Sequence, residues 1–228
     1  MKKLFVLSIA LLSIFSLNAQ KFGFKAGLNL SGVNSSTALN EYQTASLAKG
    51  LNGGFVFEYN LAKVFGIRTE ALFSQKGYQI ESDVNMNGTD AVINTSLTMN
   101  YLEIPLLLKL KLGPAYITAG PYFAYAVSGK DITTITVDGK KLAEEQYADY
   151  GQVPSDDVFK SAEFNDDNIE FKRTDIGINA GAGVQFSMFF AEARYETGLL
   201  NIKSNPTNIS DYQKNYTISI TAGILFGK

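Results

Sequence analysis

Histidine and cysteine, the side chains on which most nucleophilic and metal chemistry depends, do not occur in this 228-residue chain. Without them there is no Ser-His or Cys-His pair, no imidazole or thiolate zinc site, no disulfide, and no base that titrates naturally near neutrality. The expected protein is therefore not an enzyme, and no catalytic residue, metal or cofactor is assigned. Gly50-Leu51-Asn52-Gly53-Gly54 has the glycine content of a phosphate loop but lacks the lysine and helix that must follow one. Residues 130–172 hold half of the 22 acidic residues, including Asp156-Asp157 and Asp166-Asp167, with Tyr147, Tyr150, Phe159 and Phe164 between them. Oxygen ligands are abundant enough for a calcium site, the alternative here, but their spacing fits no loop of known coordination order, so the segment reads first as a solvated surface loop suited to partner binding. The most informative set is twelve charges interleaved with apolar residues: Lys25, Arg68, Lys76, Lys109, Lys111 and Arg194, against Glu58, Glu70, Glu103, Asp175, Glu192 and Glu196.

These twelve matter because of the elements that carry them. From Lys21 onward the pattern has period two, the mark of strands with two different faces. Eight stretches show it: about 22–30, 50–61, 64–76, 102–112, 115–128, 175–186, 189–199 and 216–226. In each, one face is apolar, as in Leu102, Ile104, Leu106, Leu108, Leu110 and Leu112, while the other holds the charges. Tight turns are expected at Ala62-Lys63, Gly113-Pro114 and Ser187-Met188, and long links at 33–49, 77–97, 130–172 and 203–213. Asn87-Gly88 and Asp138-Gly139 are turn signals inside two of those links, which can project as hairpins.

The expected fold is an all-β, transmembrane, antiparallel up-and-down barrel of about eight strands, with short periplasmic turns and long extracellular loops. The first residues support export. Met1-Lys2-Lys3 is a basic head, Leu4 to Leu17 is apolar apart from three serines, and Ala19 offers a cleavage site. The apolar run spans about 21 Å as a helix, short of the ~30 Å hydrocarbon core. Residues 1–19 are thus expected to be a cleavable signal peptide and 20–228 the barrel domain, with outer-membrane lipid as its surroundings. Near-balanced charge, −2 overall, gives no reason to expect a nucleic-acid partner.

The less apolar face separates a membrane barrel from a soluble one. Gly177, Asn179, Gly181 and Gly183 follow one another on it, and glycine facing water gains nothing. In a narrow lumen it makes room for side chains arriving from across the barrel. Phe22, Tyr59, Phe65, Phe189 and Phe226 gather at the short-turn ends as an interfacial girdle. Pro105 and Pro121 fall inside strands of a wall with no edge, nearly opposite one another, and predict a bulge or weak place in that seam.

Tyr101-Leu102-Glu103-Ile104-Pro105-Leu106-Leu107-Leu108-Lys109, Gly120-Pro121-Tyr122 and Gly181-Ala182-Gly183 occur in that order, followed by Arg194-Tyr195-Glu196, Gly198-Leu199, Asn201-Ile202 and Ala222-Gly223-Ile224. In these motifs the chain resembles, over 20–228, the PorT-like, or porin-like, outer-membrane β-barrel family of Bacteroidetes-type bacteria. The resemblance implies a small barrel without a catalytic set, with a branch linked to protein secretion, and it makes both prolines part of the family pattern.

Eight strands leave an interior just wide enough for side chains to fill. A selective channel concentrates one sign of charge at its constriction, whereas six charges of each sign predict a paired, closed lumen. The expected role is structural or interactive, with envelope or secretion proteins met through the extracellular loops. A small diffusion pore or ligand-binding barrel is the alternative.

Overall fold

The computed structural model describes residues 20–36, 42–86, 89–143, 158–159, 171–204 and 211–227. Nine strands follow one another: β1 (Gln20–Ser35), β2 (Gln43–Asn60), β3 (Phe65–Met86), β4 (Thr89–Leu112), β5 (Ala115–Val137), β6 (Lys140–Lys141), β7 (Thr174–Phe186), β8 (Phe189–Gly198) and β9 (Gln213–Phe226). All pairings are antiparallel, in the order β4-β3-β2-β1-β9-β8-β7-β5, and the β4–β5 ladder closes the ring. The wall therefore has eight strands; β6 is a two-residue return on the end of β5. Residues 1–19, expected to be a signal peptide, and Asn87-Gly88 lie outside the described residues. At Asp138-Gly139 both residues have positive φ, 48° and 74°, as a tight hairpin turn requires.

Burial follows the expected parity. Phe22, Phe24, Phe55, Leu102, Ile104, Leu106 and Ile178 point outward and are exposed, while the charged positions face the lumen. On β4 the outward apolar band runs from Leu112 to Leu102, about 34 Å along the strand at ~3.4 Å per residue. Tilted by the ~35–45° usual for such barrels, it stands roughly 24–28 Å tall, the height of the apolar band that outer-membrane barrels present to lipid. Phe22, Phe65 and Phe189 stand exposed at the short-turn end.

Three expectations need correction. Residues 43–49 are not a link, since β2 starts at Gln43, and 77–97 forms the projecting hairpin its turn signal suggested as an unbroken continuation of β3 and β4, well beyond the band. There the alternation inverts. Ala91, Ile93, Leu97 and Met99 are buried on the side that continues the lumen, and Asp90 and Asn94 are exposed outside. The apolar face turns inward because water has replaced lipid outside.

The prolines make the weak place expected of them but not the bulge: they interrupt ladders without shifting them. The β3–β4 ladder skips from Thr69↔Leu106 to Leu72↔Glu103 at Pro105, and the β4–β5 ladder from Pro105↔Tyr122 to Leu108↔Ala119 at Pro121. Register is the same on both sides of each gap, as expected when one N–H is missing. The true bulge lies further along the seam, between Asn100 and Tyr101. Finally, Gly177 and Gly183 make room for adjacent tyrosines and not for side chains from across the lumen. Their cross-strand partners are Tyr122 and Tyr116, and a Cβ at either glycine would lie 2.4–2.5 Å from the ring.

Candidate functional site: the charged lumen

Strand parity delivers the twelve charges to one interior. Eleven are buried, and Lys111, nearest the short-turn end, keeps 22% of its side chain exposed. The structure divides them unevenly.

Eight form one connected network in the half of the lumen nearer the short turns. Glu58 on β2 takes Arg68 (3.0 Å), Lys109 (2.7 Å) and Lys111 (3.4 Å). Glu70 on β3 takes Lys25 (2.7 Å) and Arg194 (2.9 Å), with Arg68 at 3.9 Å. Glu192 on β8 takes Arg68 (3.0 Å), Arg194 (2.5 Å) and Lys25 (3.8 Å). Arg68 is the hub, since its planar fork reaches several carboxylates at once. Its guanidinium also lies 5.0 Å from the ring centres of both Tyr116 and Phe190, an arrangement a lysine could not reproduce. Five cations face three carboxylates, a net of +2.

The second network is nearer the long hairpins and is sparse. Lys76 alone pairs with Glu103 (2.7 Å) and Glu196 (3.0 Å), and its ammonium sits 4.4 Å from the Tyr122 ring. Asp175 joins no ion pair among the described residues. Its carboxylate accepts hydrogen bonds from Tyr122 Oη (3.1 Å) and Asn215 Nδ2 (2.9 Å). With Asp175 included, this layer carries one cation and three carboxylates, a net of −2. The balance of six and six is therefore a sum over two opposite layers. Leu72, Leu107, Thr118 and Asn179 fill the wall between them, all buried.

An apolar layer closes the interior above the second network. Tyr101, Tyr122, Met99 and Leu97 meet Val158 and Phe159 of the long 130–172 segment, together with Phe171 and Ile202. Val158 N donates to Gly129 O (3.2 Å), and the Arg173 guanidinium stacks 4.3 Å over Phe159. Residues 158–159 and 171 are thus folded into the barrel, against the expectation of a solvated loop. The paired acids Asp156-Asp157 and Asp166-Asp167 lie outside the described residues. Among the described residues, no three acidic side chains converge on a point that could hold a metal ion. Sequence reasoning missed the neutral partners Tyr101, Tyr122 and Asn215 and the apolar layer. The only hint of that layer was Val158-Phe159, an apolar pair in acidic surroundings.

Among curated proteins none matches the sequence. Solved structures align over nearly the whole chain at low identity. Ail, the attachment invasion locus protein of Yersinia pestis, is 16% identical, with 91% of this chain and 99% of that one covered and a TM-score of 0.39. OprG from Pseudomonas aeruginosa is 15% identical, covering 92% and 98% (TM-score 0.38), and Neisserial surface protein A is 12% identical, covering 90% and 97% (TM-score 0.38). The model of the outer membrane protein beta-barrel domain matches residues 18–204, most of the chain and seven of the eight wall strands. The protein therefore belongs to the outer membrane protein beta-barrel domain family, and its place is the bacterial outer membrane.

Proposed function

We propose that this protein is a sealed, non-conducting barrel with a structural or interactive role in the outer membrane. It acts through what it presents outside the bilayer and not through what passes along its axis. The observation that carries this reading is the filled lumen, in which two ion networks and an apolar layer are stacked along the axis with eleven of twelve charges buried. An aqueous channel keeps its charges solvated. The projecting β3–β4 and β5–β6 hairpins are the natural contact elements, and the resemblance to PorT-like barrels makes envelope or secretion proteins the partners to seek. No catalytic step belongs to this reading. Export by removal of residues 1–19 completes it, and N-terminal sequencing of the membrane-inserted protein should begin at Gln20.

One observation favours a second reading, a small pore. Thr118 Oγ1 and both amide atoms of Asn179, between the networks, make no hydrogen bond within the described protein. Groups of this kind are usually met by internal water. Planar-bilayer recording separates the two: the sealed barrel gives no steady open-channel current, and a pore does.

A further inference from the structure

The wall is not continuous to its rim. The β1–β2 ladder runs from Gln20↔Tyr59 and ends at Ser31↔Ala48. Both strands continue beyond that point in other company, β1 to Ser35 against β9 and β2 from Gln43 against β3. The two strands therefore part. A cause is visible in β2, whose register against β3 shifts by one residue between Leu47 and Asn52. Such an extra residue bends a strand. Asn29 of β1 reaches past the shift on the lumen side, its Nδ2 donating to Gln75 O (2.9 Å) and Ser74 Oγ (3.0 Å) of β3 while its Oδ1 accepts from Asn52 Nδ2 of β2 (3.2 Å).

The parting opens a cleft of about 910 Å³. That is the upper part of the range of small-molecule sites, which favour barrel mouths. Its back is apolar, with Val33, Leu47, Tyr78 and Ile80; its outer side carries Tyr212 and Tyr216, with Lys214 beside them. The rest of the lining is amide, hydroxyl or small, and Lys214 is the sole charge among the described lining residues. Height matters as much as lining. On the outer face the apolar band ends at Leu30 on β1 and Leu51 on β2, and Lys49 follows, so the cleft begins where hydrocarbon gives way to headgroups.

We propose that this lateral cleft between β1 and β2 binds a single-chain amphiphile with an anionic head, entering sideways from the outer boundary of the bilayer. The apolar chain lies against Val33, Leu47 and Ile80, and the head remains beside Lys214 and the tyrosine hydroxyls. Lys214 selects against a cationic head, and no carboxylate among the described lining residues repels an anion. This site is independent of whether the lumen conducts, because the cleft lies above the ion networks.

The chain has no tryptophan, so a single introduced one reports its own surroundings. Ile80→Trp places the probe in the cleft; Leu102→Trp places it on the exposed, lipid-facing side of β4 at the end of the apolar band. Each variant, in lipid nanodiscs, is titrated with bromine-bearing dodecanoate and, separately, with the same chain on a trimethylammonium head. The expected result is saturable quenching of Ile80→Trp by the carboxylate at least tenfold below the concentration that quenches Leu102→Trp. The cationic amphiphile should show no such preference. Ala45→Phe, at an exposed lining position, should fill the cleft and weaken the quenching at least tenfold with the melting temperature unchanged. Equal quenching at both probes would mean simple partition into the bilayer and would overturn the site. Equal response to both heads would overturn the anionic class, and an unaffected Ala45→Phe variant would overturn the location.

Discussion

The two ion networks in the lumen differ in how many partners each charge has. In the network near the short turns every carboxylate is held by at least two cations, so Glu70 keeps Lys25 and Arg194 if Arg68 is lost. In the network near the long hairpins one ammonium serves two carboxylates, and Arg194 acts on them only from beyond ion-pair distance. Equal burial therefore does not mean equal consequence. What is costly in low dielectric is a charge left without a partner, more than the loss of one contact among several.

Lys76→Met should be the most damaging single change, because it leaves Glu103 and Glu196 facing each other in the interior. Thermal unfolding of refolded protein should show a loss of about 3–5 kcal/mol. Adding Glu103→Gln and Glu196→Gln to Lys76→Met should recover much of it, since the orphaned charges go with the cation. Arg68→Met should cost less, on the order of 2–3 kcal/mol, mostly through lost packing between Tyr116 and Phe190, because Glu58, Glu70 and Glu192 all retain a cation. Glu196→Gln should cost roughly 1 kcal/mol, as Lys76 keeps Glu103 in a one-to-one pair. Lys111→Met, at the partly exposed end of the first network, should change stability by less than about 1 kcal/mol. If Arg68→Met proved worse than Lys76→Met, partner number would not be what sets these consequences.

The contrast between the layers also marks the limit of what the residue pattern made legible. Period two assigned the eight wall strands and the inward face of all twelve charges, because a strand offers only two directions and lipid accepts only one kind of residue. Height along the lumen was not legible, since it depends on register and tilt. The +2 and −2 layers therefore merged into a neutral total. The hairpin beyond the membrane was expected from its turn signal, but its continuity with the wall strands was not legible, for a related reason. At Asn100 and Tyr101 the apolar side passes from outside to inside, and a rule tuned to a lipid-facing exterior loses its signal there. Gly177 and Gly183 were rightly seen as space, but the rings that use it are on β5, one ladder away. The apolar layer from Val158, Phe159, Phe171 and Ile202 is a tertiary feature that local alternation could not announce.

Gly129 seats that apolar layer through its bare Cα: a Cβ there would lie 2.5 Å from Val158 Cγ2 and 2.8 Å from Phe159 Cε2. Gly129→Val should displace residues 158–159 and expose them to protease on intact cells, while the wall ladders persist and the barrel remains embedded. Resistance equal to that of the unaltered protein would show that the layer tolerates the added side chain.

The central claim is that the lumen is closed. Its most direct test is single-channel recording of the purified, unaltered protein in a planar bilayer, with insertion verified independently. The sealed barrel predicts a baseline indistinguishable from bare lipid across a wide voltage range. Steady, reproducible conductance steps that scale with salt concentration would contradict it.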